Sequence, residues 1–174
     1  MKATGIVRRI DELGRIVIPK EIRRVLRIRE GDPIEIYTDE DGIVLKKYAR
    51  IRELGDYADT YCRALNGALG FSAAVTDTEA VQFSAGPLKK TLTRGALSEA
   101  YMDRMRQKQT VLAPEGYALL TDTPSMRLAA VPIVSNGDVL GSVLIVTDDP
   151  RLKLSETELS ILKTAALYLG KQLE

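Results

Sequence analysis

The sequence predicts two parts: a β-rich unit over residues 1–50 with one short helix, and an α+β domain over residues 51–174 built on an antiparallel sheet. Three observations carry this. Residues 1–50 set short β-branched runs and turn residues around a single amphipathic helical stretch. Apolar residues then recur at steps of three and four over 51–69. From Phe71 onward strand-like and helical stretches mix, which is the pattern of an α+β fold.

The elements follow in order. Gly5–Ile10 (GIVRRI) and Arg15–Ile18 (RIVI) flank the polar turn Asp11-Glu12-Leu13-Gly14 and read as a hairpin. Pro19 suits the first turn of a helix over Lys20–Arg27. On that helix Ile22, Val25 and Leu26 share one face and Lys20, Arg23, Arg24 and Arg27 the other, with Gly31 as a stop. Pro33–Tyr37 and Gly42–Tyr48 form a second hairpin whose turn ends in Asp41-Gly42. A unit this small buries little core; below roughly 40–50 residues a chain needs a disulfide, a metal or a partner. It has neither cysteine pairs nor a metal-ligand cluster, so a partner chain is the remaining expectation.

Ile51, Leu54, Ala58, Tyr61, Leu65 and Ala68 make a heptad-like stripe on one helix of about five turns. The helix either packs on its own sheet or also pairs across a dimer. Phe71–Thr76 and Ala80–Ser84 read as strands around Asp77–Glu79. Leu97–Gln107 reads as a helix with Ala100, Tyr101 and Met105 on its apolar side, and Thr110–Ala113 as a short strand. Arg127–Val134 and Val139–Thr147 flank Asn136-Gly137 and form a hairpin. Ser155-Glu156-Thr157-Glu158 is a capping box, and Leu159, Leu162, Ala166, Leu169 and Leu173 line the helix it opens.

Composition bounds the function. At 174 residues, 45% hydrophobic and 28% charged, the chain reads as an ordinary globular protein. No apolar run approaches the roughly 20 residues of a membrane span. The start MKATGIVRRIDELGR lacks the apolar stretch of a signal peptide, so the expected compartment is the cytoplasm and no membrane partner is expected. Histidine is absent, which removes the commonest general base and the commonest zinc ligand. The one cysteine, Cys62, has no intrachain partner and reads as a small buried residue. No cofactor, metal site or catalytic constellation is expected. The formal net charge of +1 hides a strong asymmetry: residues 1–29 hold nine Lys or Arg against three acids, and residues 30–45 hold six acids and no base. A concentrated basic start suits a polyanion, although a solvated basic surface would look the same by charge alone.

The run TGIVR, then DELGR, then VIP-x-E-IRR, then IVLKKY closely resembles the DNA-binding domain of the AbrB family across almost all of residues 1–50. The resemblance implies a swapped-hairpin barrel in which two chains interleave, hence a homodimer on double-stranded DNA. It implies that Arg8, Arg15, Arg23 and Arg24 contact DNA, with Arg9, Lys2 and Lys20 as auxiliary phosphate contacts. Arginine suits the task, because its planar, permanently charged fork can hold a phosphate or a guanine edge with two bonds. Residues 51–174, and VPIVSNGDVLGSVLIVTDD above all, resemble a GAF domain. This implies either a small-molecule sensor, its pocket lined between Ala80 and Met126, or a dimerisation platform. Helices 51–69 and 156–173 could bundle between subunits and give a tetramer. The two-domain combination resembles sporulation regulators of endospore-forming bacteria, which implies a nucleoid-associated transcription regulator of forespore genes. Two other classes compete. An antitoxin shares the swapped-hairpin fold, its C-terminal part binding a protein partner. An enzyme housed in the second domain is disfavoured by the missing histidine.

Overall fold

A computed structural model describes residues 5–26, 28–40 and 42–174. The chain divides into two compact units, residues 1–48 and 49–174.

In the first unit the expected turn forms, closed by the Gly14 N–H donating to the Asp11 carbonyl at 3.0 Å. The expected strands on either side do not: no strand is assigned over residues 5–10 or 15–18. β-branched composition specifies extended backbone but not which segment lies alongside, and here the two arms make no ladder with each other. The helix α1 (Lys20–Val25) is shorter than the expected 20–27, with Leu26 as its C-cap, and Arg27 lies outside the described residues. Six residues barely exceed one turn, too few to propagate a helix by themselves. The second hairpin forms as expected, with β1 (Ile34–Asp39) antiparallel to β2 (Gly42–Lys47) and Asp39 opposite Gly42. Among the described residues of this unit only Pro19 is buried.

The second unit opens with a 3₁₀ turn, Arg50–Leu54, followed by α2 (Gly55–Leu69). This corrects the single continuous helix expected over 51–69. Gly55, at φ +41°, breaks the backbone between the two segments. A 3₁₀ turn has three residues per turn against 3.6, yet the buried stripe continues across the break. Ile51, Leu54, Ala58 and Leu65 are buried as expected, but Cys62 takes the core position in place of Tyr61, and Ala68 is exposed.

The sheet has the order β4-β3-β7-β6-β5 and is antiparallel throughout. Its strands are β3 (Ser72–Thr76), β4 (Val81–Ala85), β5 (Val111–Tyr117), β6 (Met126–Ser135) and β7 (Asp138–Thr147). Asn136 and Gly137, at φ +50° and +86°, make the tight turn between β6 and β7. Both positions need positive φ there, which is why Asn-Gly announces the hairpin. Between β4 and β5 lie the short α3 (Lys89–Leu92), which the sequence reading missed, and α4 (Glu99–Arg106). Ser98 caps α4 by accepting from the Tyr101 N–H. Tyr101 and Met105 are buried as expected, but Met102 replaces the exposed Ala100.

Strand alternation divides the core into two layers. Ala73, Val75, Val131, Ile133, Val143 and Ile145 face α2 and the last helix, α5 (Glu156–Lys171). Ala74, Leu128, Ala130, Leu144 and Val146 face α4. Helices therefore cover both faces of the sheet. α5 begins at the expected capping box, in which Ser155 N–H donates to the Glu158 carboxylate at 2.9 Å and Ser155 Oγ accepts from Thr157 N–H at 3.2 Å. All five positions of its expected stripe are buried, and each fully buried leucine contributes about 1.5–3 kcal/mol.

Burial pushes the Cys62 thiol up from its ordinary value of 9.0 to about 12, with Asp59 adding to the effect. The folded state thus keeps its proton where the unfolded chain loses it. Stability is unaffected below about pH 9 and falls as the pH rises from there toward 12. The native chain is expected to leave dithionitrobenzoate unreacted at pH 8 and to release one equivalent of thionitrobenzoate on unfolding. Rapid stoichiometric reaction of the folded chain would contradict this.

Candidate nucleic-acid interface

The basic residues expected to bind DNA lie on the two arms, the turn between them and α1. The turn is built on Asp11. Its N–H donates to the Arg15 carbonyl at 3.1 Å. Its Oδ1 accepts from the N–H groups of Leu13 at 3.0 Å and Arg15 at 2.8 Å, and its Oδ2 from Arg15 Nε at 2.7 Å. The Arg15 N–H first, and the Arg15 guanidinium second, hold the Asp11 carboxyl below the usual aspartate value. Gly14 completes the turn at φ +74°. The sequence reading placed Arg15 but missed Asp11 as its partner. The signal was present: an aspartate opening a four-residue turn that ends in glycine commonly bonds the backbone two residues on.

Arg8 and Arg9 lie on the arm before this turn and are exposed. Pro19, at φ −56° and ψ 147°, leads into α1, where Lys20, Arg23 and Arg24 are exposed. Glu21 stands in the first helical turn and Arg23 and Arg24 in the last, each sign at the end of the helix dipole that favours it. Among the described residues none of Arg8, Arg9, Lys20, Arg23 and Arg24 is paired with a carboxylate. Lys2 lies outside the described residues.

Beside these cations runs an open apolar groove of about 220 Å³, lined by Ile6, Ile16, Ile18, Ile22, Leu26 and Leu45 among others, with Arg8 at its edge. Val17, which also lines the groove, is 73% exposed, and outside it Val7 is 85% and Val25 77% exposed.

Among the described residues of the second unit there is no group of three or more His, Cys, Asp or Glu side chains that could hold a metal ion. The segment expected to line a ligand pocket contributes several core side chains. Leu92, Leu97, Tyr101, Leu119 and Leu120 are buried against the α4 face of the sheet. Beneath α4 the hydroxyls of Tyr101 and Thr76 each lie 2.7 Å from Ser142 Oγ, and the Ser142 N–H donates to Thr76 Oγ1 at 3.1 Å. An open groove of about 500 Å³ lies elsewhere, between α2 and α5, lined by Asp56, Tyr57, Thr60, Tyr61, Ala64 and Tyr168.

Residues 53–174 match the family model described as stage V sporulation protein T C-terminal, transcription factor. Over 179 aligned residues the chain is 45% identical to stage V sporulation protein T of Bacillus subtilis (strain 168), covering all of this chain and 99% of that one. The chain belongs to the stage V sporulation protein T family. It is accordingly a transcription regulator of sporulation genes. Residues 7–53 also match the model described as antidote-toxin recognition MazE, bacterial antitoxin. Over 48 residues the chain is 65% identical to the transition state regulatory protein AbrB of the same organism, a match that spans 28% of this chain and 50% of AbrB. The GAF domain of an Acinetobacter phosphoenolpyruvate-protein phosphotransferase superposes with a TM-score of 0.55 at 16% identity, covering 71% of this chain and 87% of that one. The stage V sporulation protein T family thus carries a GAF-type fold in its C-terminal domain here, as the resemblance implied. No helix among the described residues is long and apolar enough to cross a membrane.

The positive φ at Gly14 sets a cost on any side chain there. Gly14→Ala is expected to destabilise the turn by about 1–2 kcal/mol, read as a lower midpoint in thermal unfolding of the full chain. An unchanged midpoint would show that the turn does not hold this backbone.

Proposed function

We propose that residues 1–50 form a swapped-hairpin homodimer that grips double-stranded DNA through Arg8, Arg15, Arg23 and Arg24, with Arg9, Lys2 and Lys20 on flanking phosphates. The observation that carries this reading is the state of the first unit: exposed unpaired arginines stand beside apolar side chains that this chain leaves uncovered. Isoleucine and valine arms in solvent are costly, and a second copy of the same arms supplies both their cover and the missing strand partners. The 65% identity to AbrB over this segment supports the same reading. Residues 51–174 serve in it as the regulatory domain, responding to a small-molecule effector. They also associate copies into a tetramer through α2 and α5, whose outer face leaves Tyr57, Leu167 and Tyr168 exposed. The protein works without catalysis, at the nucleoid in the cytoplasm.

The antitoxin reading draws on the match over residues 7–53. It expects a C-terminal part that is extended until a toxin orders it. The compact sheet and buried leucines of residues 49–174 favour the regulator.

A dimer making six to ten phosphate contacts is expected to lose roughly 10³–10⁵ in affinity between 50 and 200 mM salt. Arg23→Ala is expected to weaken binding at least several-fold more than Arg29→Ala in the same gel-shift titration. Equal affinities of those two variants, or a flat salt dependence, would overturn the assignment.

A further inference from the structure

Of the described cations assigned to DNA, Arg15 alone has a side chain tied to another residue. Its Nε donates to Asp11 Oδ2 at 2.7 Å, while the same carboxylate's Oδ1 accepts the backbone N–H groups of Leu13 and Arg15. One carboxylate therefore fixes both the turn and the direction in which the Arg15 side chain leaves it. The pair stands in solvent, with side-chain exposures of 72% for Arg15 and 41% for Asp11. As a stabilising ion pair it is worth little, because exposed pairs are screened. Its geometry suggests another use. A guanidinium has five N–H donors, and only the one on Nε is engaged, so the four on Nη1 and Nη2 face outward as a free fork.

We propose that Asp11 is a positioning residue for DNA recognition: it holds the Arg15 guanidinium by its Nε edge so that the Nη fork meets the duplex already aimed. This rests on the reading that Arg15 contacts DNA. A long flexible side chain loses rotamer freedom when it binds, and a side chain held beforehand loses less. Arg8, Arg9, Arg23 and Arg24 have no such tether among the described residues, so Arg15 is the contact best prepared for a bond of fixed direction. Such a bond is what a guanine edge requires, whereas a phosphate accepts a charge from many angles.

The proposal makes a prediction whose sign is opposite to that of simple electrostatics. Asp11 is an anion beside a polyanion. If it were a bystander, its neutralisation would tighten binding and steepen the salt dependence. As a positioning residue its neutralisation loosens binding. Asp11→Asn suits the test because its Oδ1 still serves the two turn N–H groups, while an NH2 donor replaces the charged oxygen that accepts from Arg15 Nε. Asp11→Glu keeps the charge and moves it by one methylene.

The probe is a labelled duplex selected by the native full-length protein from a random-sequence library. Affinities are measured for the native chain, Arg15→Ala, Asp11→Asn, Asp11→Glu and Asp11→Asn/Arg15→Ala across 50–200 mM salt, with melting curves for each. The expected result is a loss of roughly tenfold for Arg15→Ala, consistent with one directed base contact. Asp11→Asn and Asp11→Glu each lose several-fold, and the salt slope of Asp11→Asn falls in magnitude. In the Arg15→Ala background Asp11→Asn costs nothing or improves binding. Tighter or unchanged binding by Asp11→Asn, or an equal loss with and without Arg15, would overturn the positioning role. An unchanged affinity for Arg15→Ala would instead remove the reading on which the role rests.

Discussion

Residues 5–48 present a surface that a single chain of this length does not cover. Only Pro19 is buried among the described residues, while isoleucine, valine and leucine side chains on both arms, α1 and the second hairpin face outward. Apolar area is worth about 25 cal/mol per Å² when removed from water. A unit with nothing to bury it against gains almost none of this and still bears the entropy of ordering its backbone. The remaining features of the unit follow from that imbalance. The arms form no ladder with each other, α1 stops after six residues, and an open groove runs along Ile16, Ile18 and Ile22. In the proposed dimer the same constraint arranges the cations. The turn and α1, which carry Arg15, Arg23 and Arg24, are left outside when the apolar sides of two chains meet.

The second unit solves the burial problem within its own chain. Its sheet is covered on both faces: by α2 and α5 on one, through Ala58, Cys62, Leu65, Leu159, Leu162 and Leu169, and by α4 on the other, through Tyr101, Met102 and Met105. Tyr101 closes a buried hydroxyl chain to Ser142 and Thr76, and burial raises its phenol above the ordinary tyrosine value, so it stays neutral. Leu97, Tyr101 and Leu119 are fully buried on the α4 face. The groove on the opposite side, between α2 and α5, stands open with Tyr61 and Tyr168 stacked at 6.1 Å.

Local rules were enough for much of this. Asn136-Gly137 located the central hairpin, and Ser155 with Glu158 located the start of α5 because the capping atoms are neighbours in sequence. The leucine stripe of α5 was correct because nothing interrupts its period. The stripe of 51–69 was misread at Tyr61 because the buried face of α2 takes the i+4 step from Ala58 to Cys62 rather than the i+3 step, and the 3₁₀ start was missed because one glycine in an amphipathic run does not announce its φ. The arms of the first unit were read as paired strands and form none in the single chain, since pairing depends on what lies alongside. The set of arginines proposed to contact DNA was picked out through the family motif. The hold of Asp11 on Arg15 was not, because charge counting treats an acid beside a DNA contact as an opponent.

The claim that most depends on a second chain is the covering of the N-terminal arms. Full-length protein is mixed one to one from two preparations, one with labelled isoleucine methyls and the other with labelled valine and leucine methyls, then unfolded and refolded together. Nuclear Overhauser spectra then report only contacts between chains for isoleucine–valine and isoleucine–leucine pairs. The account predicts cross-peaks between Ile16 or Ile18 of one chain and Val7, Val17 or Leu45 of the other. Their absence, with those methyls retaining solvent-exposed relaxation in a folded protein, would contradict it.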